Sequence, residues 1–169
     1  MTSRAQGHDG PYPAPVETAP RRVEHDWIDY NGHMNVAYYT MVADQAIDRF
    51  LEDHLGLGEA FAAAERMGPY ALQSNIRYLA EMLVGEAFTM RVQLVDSDAK
   101  RLHIFCEITK DDSNIAATVE QMLMNVDLDA RRAAPYPDWA QARIAQMKAD
   151  HARLPTPVGL GAPIGIRRG

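Results

Sequence analysis

One long apolar segment followed by four alternating segments constrains the fold of this chain more than any other feature. Residues 35–55 predict a helix, with Asn35 as its N-cap and Gly56 as its stop. Its polar side chains form only a narrow stripe, so other elements must cover most of the helix. Four later segments alternate between apolar and polar side chains, as half-buried strands do: residues 70–80, 86–97, 100–111 and 114–129. This order predicts an α+β domain in which a curved antiparallel sheet wraps around one long helix.

The segments outside this core differ in composition and set the predicted boundaries. Residues 1–20 carry Gly, Pro and Ser in irregular order and predict a flexible N-terminal arm. The folded domain is predicted over residues 21–136, followed by a C-terminal helix at 137–152. Residues 153–169, which are rich in Pro and Gly, predict a flexible or extended tail. Two shorter elements are also expected, a strand at residues 22–26 and a helix at 59–66.

Composition excludes several classes of protein. The 169 residues are 47% hydrophobic and 24% charged, which is typical of one soluble globular domain. A net charge of −6 argues against general nucleic-acid binding, which requires a basic face. No apolar run approaches the about 18 residues of a membrane helix, and no signal peptide is recognisable, so a cytoplasmic protein is expected. The single cysteine, Cys106, lies in an alternating row and predicts a buried structural thiol.

The chemistry is concentrated in residues 26–39, where the chain enters the long helix. Asp29 stands just before a turn at Gly32, and His33 and Asn35 follow at short intervals. A carboxylate beside a helix N-terminus suits attack on a carbonyl group, because free N–H groups of the first turn can hold the developing oxyanion. The alternative is that Asp29 and Asn35 serve only as turn and capping residues.

The spacing Asp29-x-x-Gly32-His33-Met34-Asn35, followed by Tyr39, resembles the D-x-x-G-H-[VM]-N-N-x-x-Y signature of hotdog-fold acyl-CoA thioesterases of the 4-hydroxybenzoyl-CoA type. Val36 replaces the second Asn of that signature. Residues 27–34 and 100–105 further resemble the thioesterases of carnitine breakdown, which hydrolyse betainyl-CoA, although those usually carry Thr-Glu where this chain has Asn35-Val36. The likeness covers about residues 21–136. It implies a hotdog fold and an acyl-CoA substrate.

The resemblance also implies catalytic roles. Asp29 is either the nucleophile that forms an acyl-enzyme anhydride or the base that activates water, and the sequence leaves both open. The backbone N–H near Asn35 and Val36 is the expected oxyanion donor, and a backbone donor tolerates the change at Val36. His33 either orients the thioester or Asp29, or is a turn histidine bonded to the backbone. Asn35 is expected to be mainly a helix cap.

Aromatic and charged side chains near these segments are candidates for substrate binding. Faces of Trp and Tyr attract quaternary ammonium groups, which fits a trimethylammonium acyl group; the alternative is that these rings belong to the core. The candidate rings are Trp27, Tyr30, Tyr38, Tyr39, Tyr70 and Tyr78. Asp44 either positions water in a neighbouring subunit's site or lies in solvent. The candidates for the CoA phosphates are Arg77, Lys100 and Arg101, which otherwise are ordinary surface cations.

The expected assembly is a homodimer or homotetramer, because a single hotdog sheet leaves an open edge. The resemblance implies that the active site lies between subunits. No cofactor and no metal site are expected, since the six histidines are scattered and no Gly-rich phosphate loop is present.

Two alternative functions remain. Asp29-Tyr30-Asn31-Gly32-His33 partly resembles the Asp-x-Asn-Pro-x-His motif of hotdog hydratases, but the proline is missing and the histidine comes one residue early. A non-catalytic acyl-CoA-binding module is the other.

Overall fold

The computed structural model of the chain describes residues 7–166 and residue 168. The helices are α1 (Val36–Arg49), which continues as one π-helical turn (Phe50–Leu55), α2 (Glu59–Glu65) and α3 (Asp138–His151). The strands are β1 (Val16–Glu17), β2 (Arg21–Arg22), β3 (Met67–Tyr78), β4 (Ala87–Ser97), β5 (Arg101–Lys110), β6 (Ile115–Asp127) and β7 (Arg132–Ala133). A short 3-10 turn, His25–Trp27, precedes α1. Within the described part of the chain, no helix is long and apolar enough to cross a membrane.

One antiparallel sheet in the order β1-β4-β5-β6-β3 carries the fold, with β2 also on β4 and β7 on β6. The alternating side chains of β5 face α1: Leu102, Ile104, Cys106 and Ile108 lie in one buried core with Val42, Ala46 and Ile47 of that helix. The predicted order of one helix and four long strands is therefore confirmed, and the fold is the hotdog fold. Strand β3 lies at the end of the sheet, and no strand in the described part of the chain pairs with its outer edge.

The ends of α1 follow the predicted local chemistry. The side-chain Oδ1 of Asn35 accepts the backbone N–H of Ala37 at 3.0 Å, which caps the helix N-terminus. At the other end, Gly56 takes a φ of +73°, the left-handed conformation that ends helices at little cost for glycine. The prediction of a helix from Asn35 to a stop at Gly56 is confirmed, with the last turn widened to π geometry.

The N-terminal segment is folded against the domain, which corrects the flexible arm predicted for residues 1–20 as far as residues 7–20 are concerned. Tyr12 and Val16 are buried, and Val16 pairs with Val92 of β4. The backbone N–H of Tyr12 donates to Asp150 Oδ2 at 2.8 Å. These partners lie far away in sequence, so no local pattern could reveal them. Residues 1–6 lie outside the described part.

Two histidines that lie against this segment have lowered pKa values. Burial lowers the pKa of His54, and the adjacent His8 ring, 3.3 Å away between ring nitrogens, lowers it further. Burial also lowers the pKa of His151, which outweighs the opposing effects of the Pro13 carbonyl and Asp150. In the folded protein these two histidines therefore bind protons less readily than in the unfolded chain, where a histidine titrates near pH 6.5.

We expect the free energy of unfolding to fall as the pH drops below about 6.5, because the unfolded chain then binds protons at histidines whose pKa is lowered in the folded state. Urea unfolding at pH 7.5, 6.5 and 5.5 measures this. The variant His54→Asn is expected to lose stability less steeply over that interval, whereas His25→Asn, at a 92% exposed side chain, should behave like the wild type. Constant or rising stability below pH 6.5 would contradict the prediction.

For residues 153–169 the sequence predicts a flexible or extended tail, and the described part of this segment lies fixed against the sheet. Residues on β3, β5 and β6 that alternate with the core positions form the sheet face opposite α1, which we call the outer face. Gly161 N–H donates to Glu120 Oε2 at 2.8 Å, and Asn75 Nδ2 donates to the Ala162 carbonyl at 2.9 Å. The chain after α3 therefore crosses the outer face and is fixed there by hydrogen bonds. Residues 167 and 169 lie outside the described part.

Candidate active site

A closed turn positions Asp29 directly before α1. Asp29 N–H donates to the His33 carbonyl at 3.0 Å, and Gly32 N–H donates back to the Asp29 carbonyl at 3.0 Å. Gly32 has a φ of +84° with open space where a Cβ would lie, so the backbone conformation, and not crowding, calls for glycine. An antiparallel bridge between Ile28 and Met34 closes the loop. The turn thus fixes Asp29 beside the segment that enters the helix.

The Asp29 carboxylate is half-buried and held by one of its two oxygens. Its Oδ1 accepts the backbone N–H of Asn31 at 2.8 Å, as expected for an aspartate that forms its own turn. Within the part of the chain that the structure describes, Oδ2 accepts no hydrogen bond. The turn role considered as the alternative is therefore real, and it leaves one carboxylate oxygen available for chemistry.

The N-terminus of α1 leaves one backbone donor free. Asn35 N–H donates to the Trp27 carbonyl at 2.9 Å, and Tyr38 N–H donates to the Asn35 carbonyl at 3.0 Å. Ala37 N–H is taken by the Asn35 side chain. Of the backbone N–H groups of described residues 35–38, only that of Val36 has no acceptor. This is expected, because the N–H of the first helical residue has no partner within the helix. Of the two predicted oxyanion donors, Asn35 N–H is occupied and Val36 N–H is available.

His33 binds the backbone of the turn. Its Nδ1 lies 3.2 Å from the Met34 carbonyl, which can only accept, so in the neutral ring Nδ1 carries the proton and Nε2 has a free lone pair. No hydrogen bond joins His33 to Asp29 in the described structure. The turn-histidine alternative fits this geometry, and orientation of the thioester by His33 stays a prediction.

The predicted aromatic cage is not assembled within one chain. Trp27 is only 5% exposed, stacks on Tyr38 at 5.6 Å, and has the Arg21 guanidinium 5.4 Å from its ring centroid. Tyr39 is also buried, with its ring edge-on to Tyr78 at 5.2 Å. Trp27 and Tyr39 are thus core aromatics, and Trp27 already has a cation of the protein on its ring.

The remaining predicted binding residues lie at the surface. Tyr30 is 97% exposed, and Tyr38 and Tyr78 are partly exposed near the helix N-terminus. Asp44 is exposed on α1. Burial raises the pKa of the Tyr39 phenol, partly opposed by a backbone hydrogen bond from Met82, so this ring stays neutral.

The three predicted CoA-binding cations fall at two ends of the sheet. Arg77 precedes Tyr78 near the end of β3, and its guanidinium lies against the C-terminal segment, with Nη1 3.5 Å from the Val158 carbonyl. Arg101 lies in the same row as Met124 and Tyr70, at the opposite end, beside Lys100 in the hairpin between β4 and β5. Arg101 forms a bidentate pair with Asp98, which lowers the pKa of that carboxyl to about 2. Lys100 and Arg101 are therefore far from the Asp29 turn of their own chain.

Sequence reasoning missed the loop between β3 and β4, residues 79–86. The carbonyl of its fully buried Met82 accepts Met34 N–H at 2.8 Å, which ties the loop to the Asp29 turn. Lys110 Nζ holds the loop from the other side, through the Glu81 carbonyl at 3.2 Å and Glu86 at 2.9 Å. Its apolar residues Leu79, Leu83 and Val84 are exposed beside the helix N-terminus. The apolar residues between the two predicted strands were the sequence signal that could have indicated this loop.

The fold and this site define a hotdog thioesterase, in which a carboxylate stands beside the N-terminus of the central helix. The family model of the thioesterase-like superfamily matches residues 23–144. The chain therefore belongs to that family, and it is an acyl-CoA thioesterase. The hydratase and the non-catalytic module are thereby set aside.

The names of two similar proteins both include betainyl-CoA thioesterase. A betainyl-CoA thioesterase of Pseudomonas aeruginosa is 36% identical over 142 residues, which is 83% of this chain and 89% of that protein. An L-carnitine dehydrogenase/betainyl-CoA thioesterase of Rhizobium meliloti is 33% identical over 155 residues. That match covers 91% of this chain but only 31% of the two-function protein.

Solved structures agree with the fold. A Staphylococcus aureus protein solved in complex with CoA superposes with a TM-score of 0.81 at 28% identity, covering 90% of this chain and 96% of that one. A putative thioesterase from Pseudomonas putida has a TM-score of 0.77 at 27% identity, covering 93% and 99%.

Proposed function

We propose that this thioesterase hydrolyses a short acyl-CoA with a quaternary ammonium group, and that betainyl-CoA is its substrate. One observation supports this proposal most directly. The Asp29 carboxylate has one oxygen without a hydrogen bond, and the backbone N–H of Val36 at the start of α1 has no acceptor among the described residues. The names of the two relatives support the acyl group, since both include betainyl-CoA thioesterase.

The reaction needs a nucleophile and a place for negative charge. Asp29 Oδ2 either attacks the thioester carbonyl carbon, which expels the CoA thiolate and leaves a mixed anhydride for water to cleave, or takes a proton from a water that attacks directly. In both routes the carbonyl oxygen becomes an oxyanion. The Val36 N–H, at the positive end of the α1 dipole, is the donor for that charge.

The open edge of β3 supports a homodimer. This strand is 12 residues long and has no neighbouring strand on one side among the described residues, and such an edge is normally covered. Tyr70, Leu72, Tyr78 and Leu79 on or just after it are 46–57% exposed, which is typical of an interface and not of a solvent-facing strand. We propose that two copies pair β3 to β3 in antiparallel fashion, and a homotetramer would consist of two such dimers.

This pairing brings the distant cations to the site. If the two-fold axis passes near Ser74, Tyr70 of one copy lies beside Tyr78 of the other. Arg101 is in the row of Tyr70, two strands further on, so it lies about 14 Å from the other copy's Tyr78 at about 4.8 Å per strand. We propose that Lys100 and Arg101 of one subunit, with Arg77 of the other, contact the CoA phosphates.

Leu72→Asp is expected to weaken the dimer at least tenfold, because each subunit would bury a carboxylate in the seam opposite Ile76 of the other copy. Sedimentation velocity over a dilution series measures the dissociation constant. Val158→Asp makes the same change at an exposed residue of the C-terminal segment and should leave the constant within about threefold. A wild-type monomer, or equal dissociation constants for Leu72→Asp and wild type, would contradict the dimer.

The substrate assignment predicts a preference for positive charge on the acyl group. Tyr30, Tyr38 and Tyr78 remain available at the site, and two well-placed exposed rings contribute about 1–2 kcal/mol to binding a cation. We therefore expect kcat/KM for betainyl-CoA to exceed that for its uncharged isostere, 3,3-dimethylbutyryl-CoA, by about tenfold. Equal values, or preference for long-chain or aryl esters, would reject betainyl-CoA as the substrate while leaving the thioesterase activity intact.

A further inference from the structure

The segment after α3, residues 154–166, crosses the outer face of the sheet in one direction. Leu154 to Pro157 lie against Gln93 of β4 and Phe105 of β5. Gly161 is then bonded to Glu120 of β6, and Ala162 to Asn75 of β3, the edge strand. The chain thus passes from the middle of the sheet to its open edge and reaches that edge at Ala162.

Two isoleucines near the end of this segment have little to pack on in their own subunit. Ile164 is 97% exposed and Ile166 is 86% exposed. Beside Ile164, a cavity of about 450 Å³ opens between this segment and the outer face, over β3, β6 and β5. Its walls include Ser74 and Met122 from the sheet and Pro163 and Ile164 from the segment. Exposed isoleucines next to an open cavity at an unpaired edge are typical of a surface that a second molecule covers.

The proposed pairing of β3 strands makes the outer faces of the two sheets continuous, because neighbouring strands in one sheet share their faces. Four residues beyond Ala162, in extended conformation, span about 13 Å. At about 4.8 Å per strand this length crosses β3 and β6 of the second copy.

We propose that residues 163–166 of each subunit pack on the outer face of the second copy, so that the two C-terminal segments cross the dimer seam and clamp it. This inference rests on the proposed β3 dimer. The occupant of the cavity beside Ile164 is then the second copy's segment, since the two-fold axis places the same apolar residues of both chains at the seam.

A cross-linking experiment tests the contact directly. Cys106 is fully buried and its pKa is raised to about 12, so an introduced cysteine is the only reactive thiol among the described residues. Ile166→Cys is labelled with benzophenone maleimide and irradiated, with Thr156→Cys as the control, because Thr156 lies over β4 and β5 of its own sheet. We expect a covalent dimer for Ile166→Cys and only monomer for Thr156→Cys.

A second measurement tests the energetic contribution. The double variant Ile164→Asp, Ile166→Asp is expected to raise the dimer dissociation constant at least tenfold, against less than about threefold for Val158→Asp. If the protein is a dimer but shows neither the cross-link nor the raised dissociation constant, the inference is wrong and the proposed β3 dimer is retained. A wild-type protein that is monomeric overturns both, and the thiol-release activity is read separately from either.

Discussion

Replacing Asp29 with Asn is expected to lower kcat for acyl-CoA hydrolysis by about a thousandfold or more, the scale seen when a principal catalytic group is removed. The amide can neither form the anhydride nor take a proton from water. It still has an oxygen that can accept the Asn31 N–H, so the turn should survive. Steady-state thiol release and a thermal melt of the same preparation measure the two effects.

Asp26→Asn is the matched control, because Asp26 is three residues earlier and its side chain is 95% exposed. It should keep wild-type kcat. If Asp29→Asn retains activity within about tenfold of wild type, Asp29 is not part of the mechanism. If the variant unfolds instead, Asp29 is chiefly a turn residue.

Replacing Val36 with Pro should lower kcat by about a hundredfold to a thousandfold, the usual effect of losing one oxyanion donor. The change removes the backbone N–H that we assign to the oxyanion, and it also replaces the side chain. Proline suits the first position of a helix, where that N–H has no intrahelical partner. The preceding Asn35 has φ −66° and ψ 145°, which is the conformation that a following proline requires.

Val36→Ala keeps the N–H and should retain activity close to wild type, since the Val36 side chain is 54% exposed. The two variants together separate the backbone from the side chain. Equal activities of Val36→Pro and Val36→Ala, with unchanged melting temperatures, would show that this N–H does not stabilise the transition state.

The long elements could be predicted from the sequence because their patterns record burial directly. β5 alternates between core residues such as Ile104 and outer-face residues such as His103, and the structure places them so. The Asn35 cap and the Gly56 stop depend on neighbouring residues alone, and both were predicted. The terminal segments could not be predicted, because their order comes from single contacts across 138 residues, such as Tyr12 N–H with Asp150.

In the site, too, the features that depend on neighbouring residues could be predicted and those that depend on distant residues could not. The Asp29 turn is local, and its geometry follows from Asp29, Gly32 and His33. Trp27 was assigned to substrate because its ring chemistry fits a cation, but the sequence does not show that Arg21 already lies over that ring. The placement of Arg101 at the far end of the sheet likewise depends on strand register, which only the pairing with Met124 fixes.

The most direct test of the account is to offer betainyl-CoA and crotonyl-CoA to the same purified protein and to follow both free thiol and hydration of the double bond. We predict that CoA thiol and betaine are released from betainyl-CoA in equal amounts and that crotonyl-CoA is not hydrated. Hydration of crotonyl-CoA, with no thiol released from betainyl-CoA or any other short acyl-CoA, would contradict it.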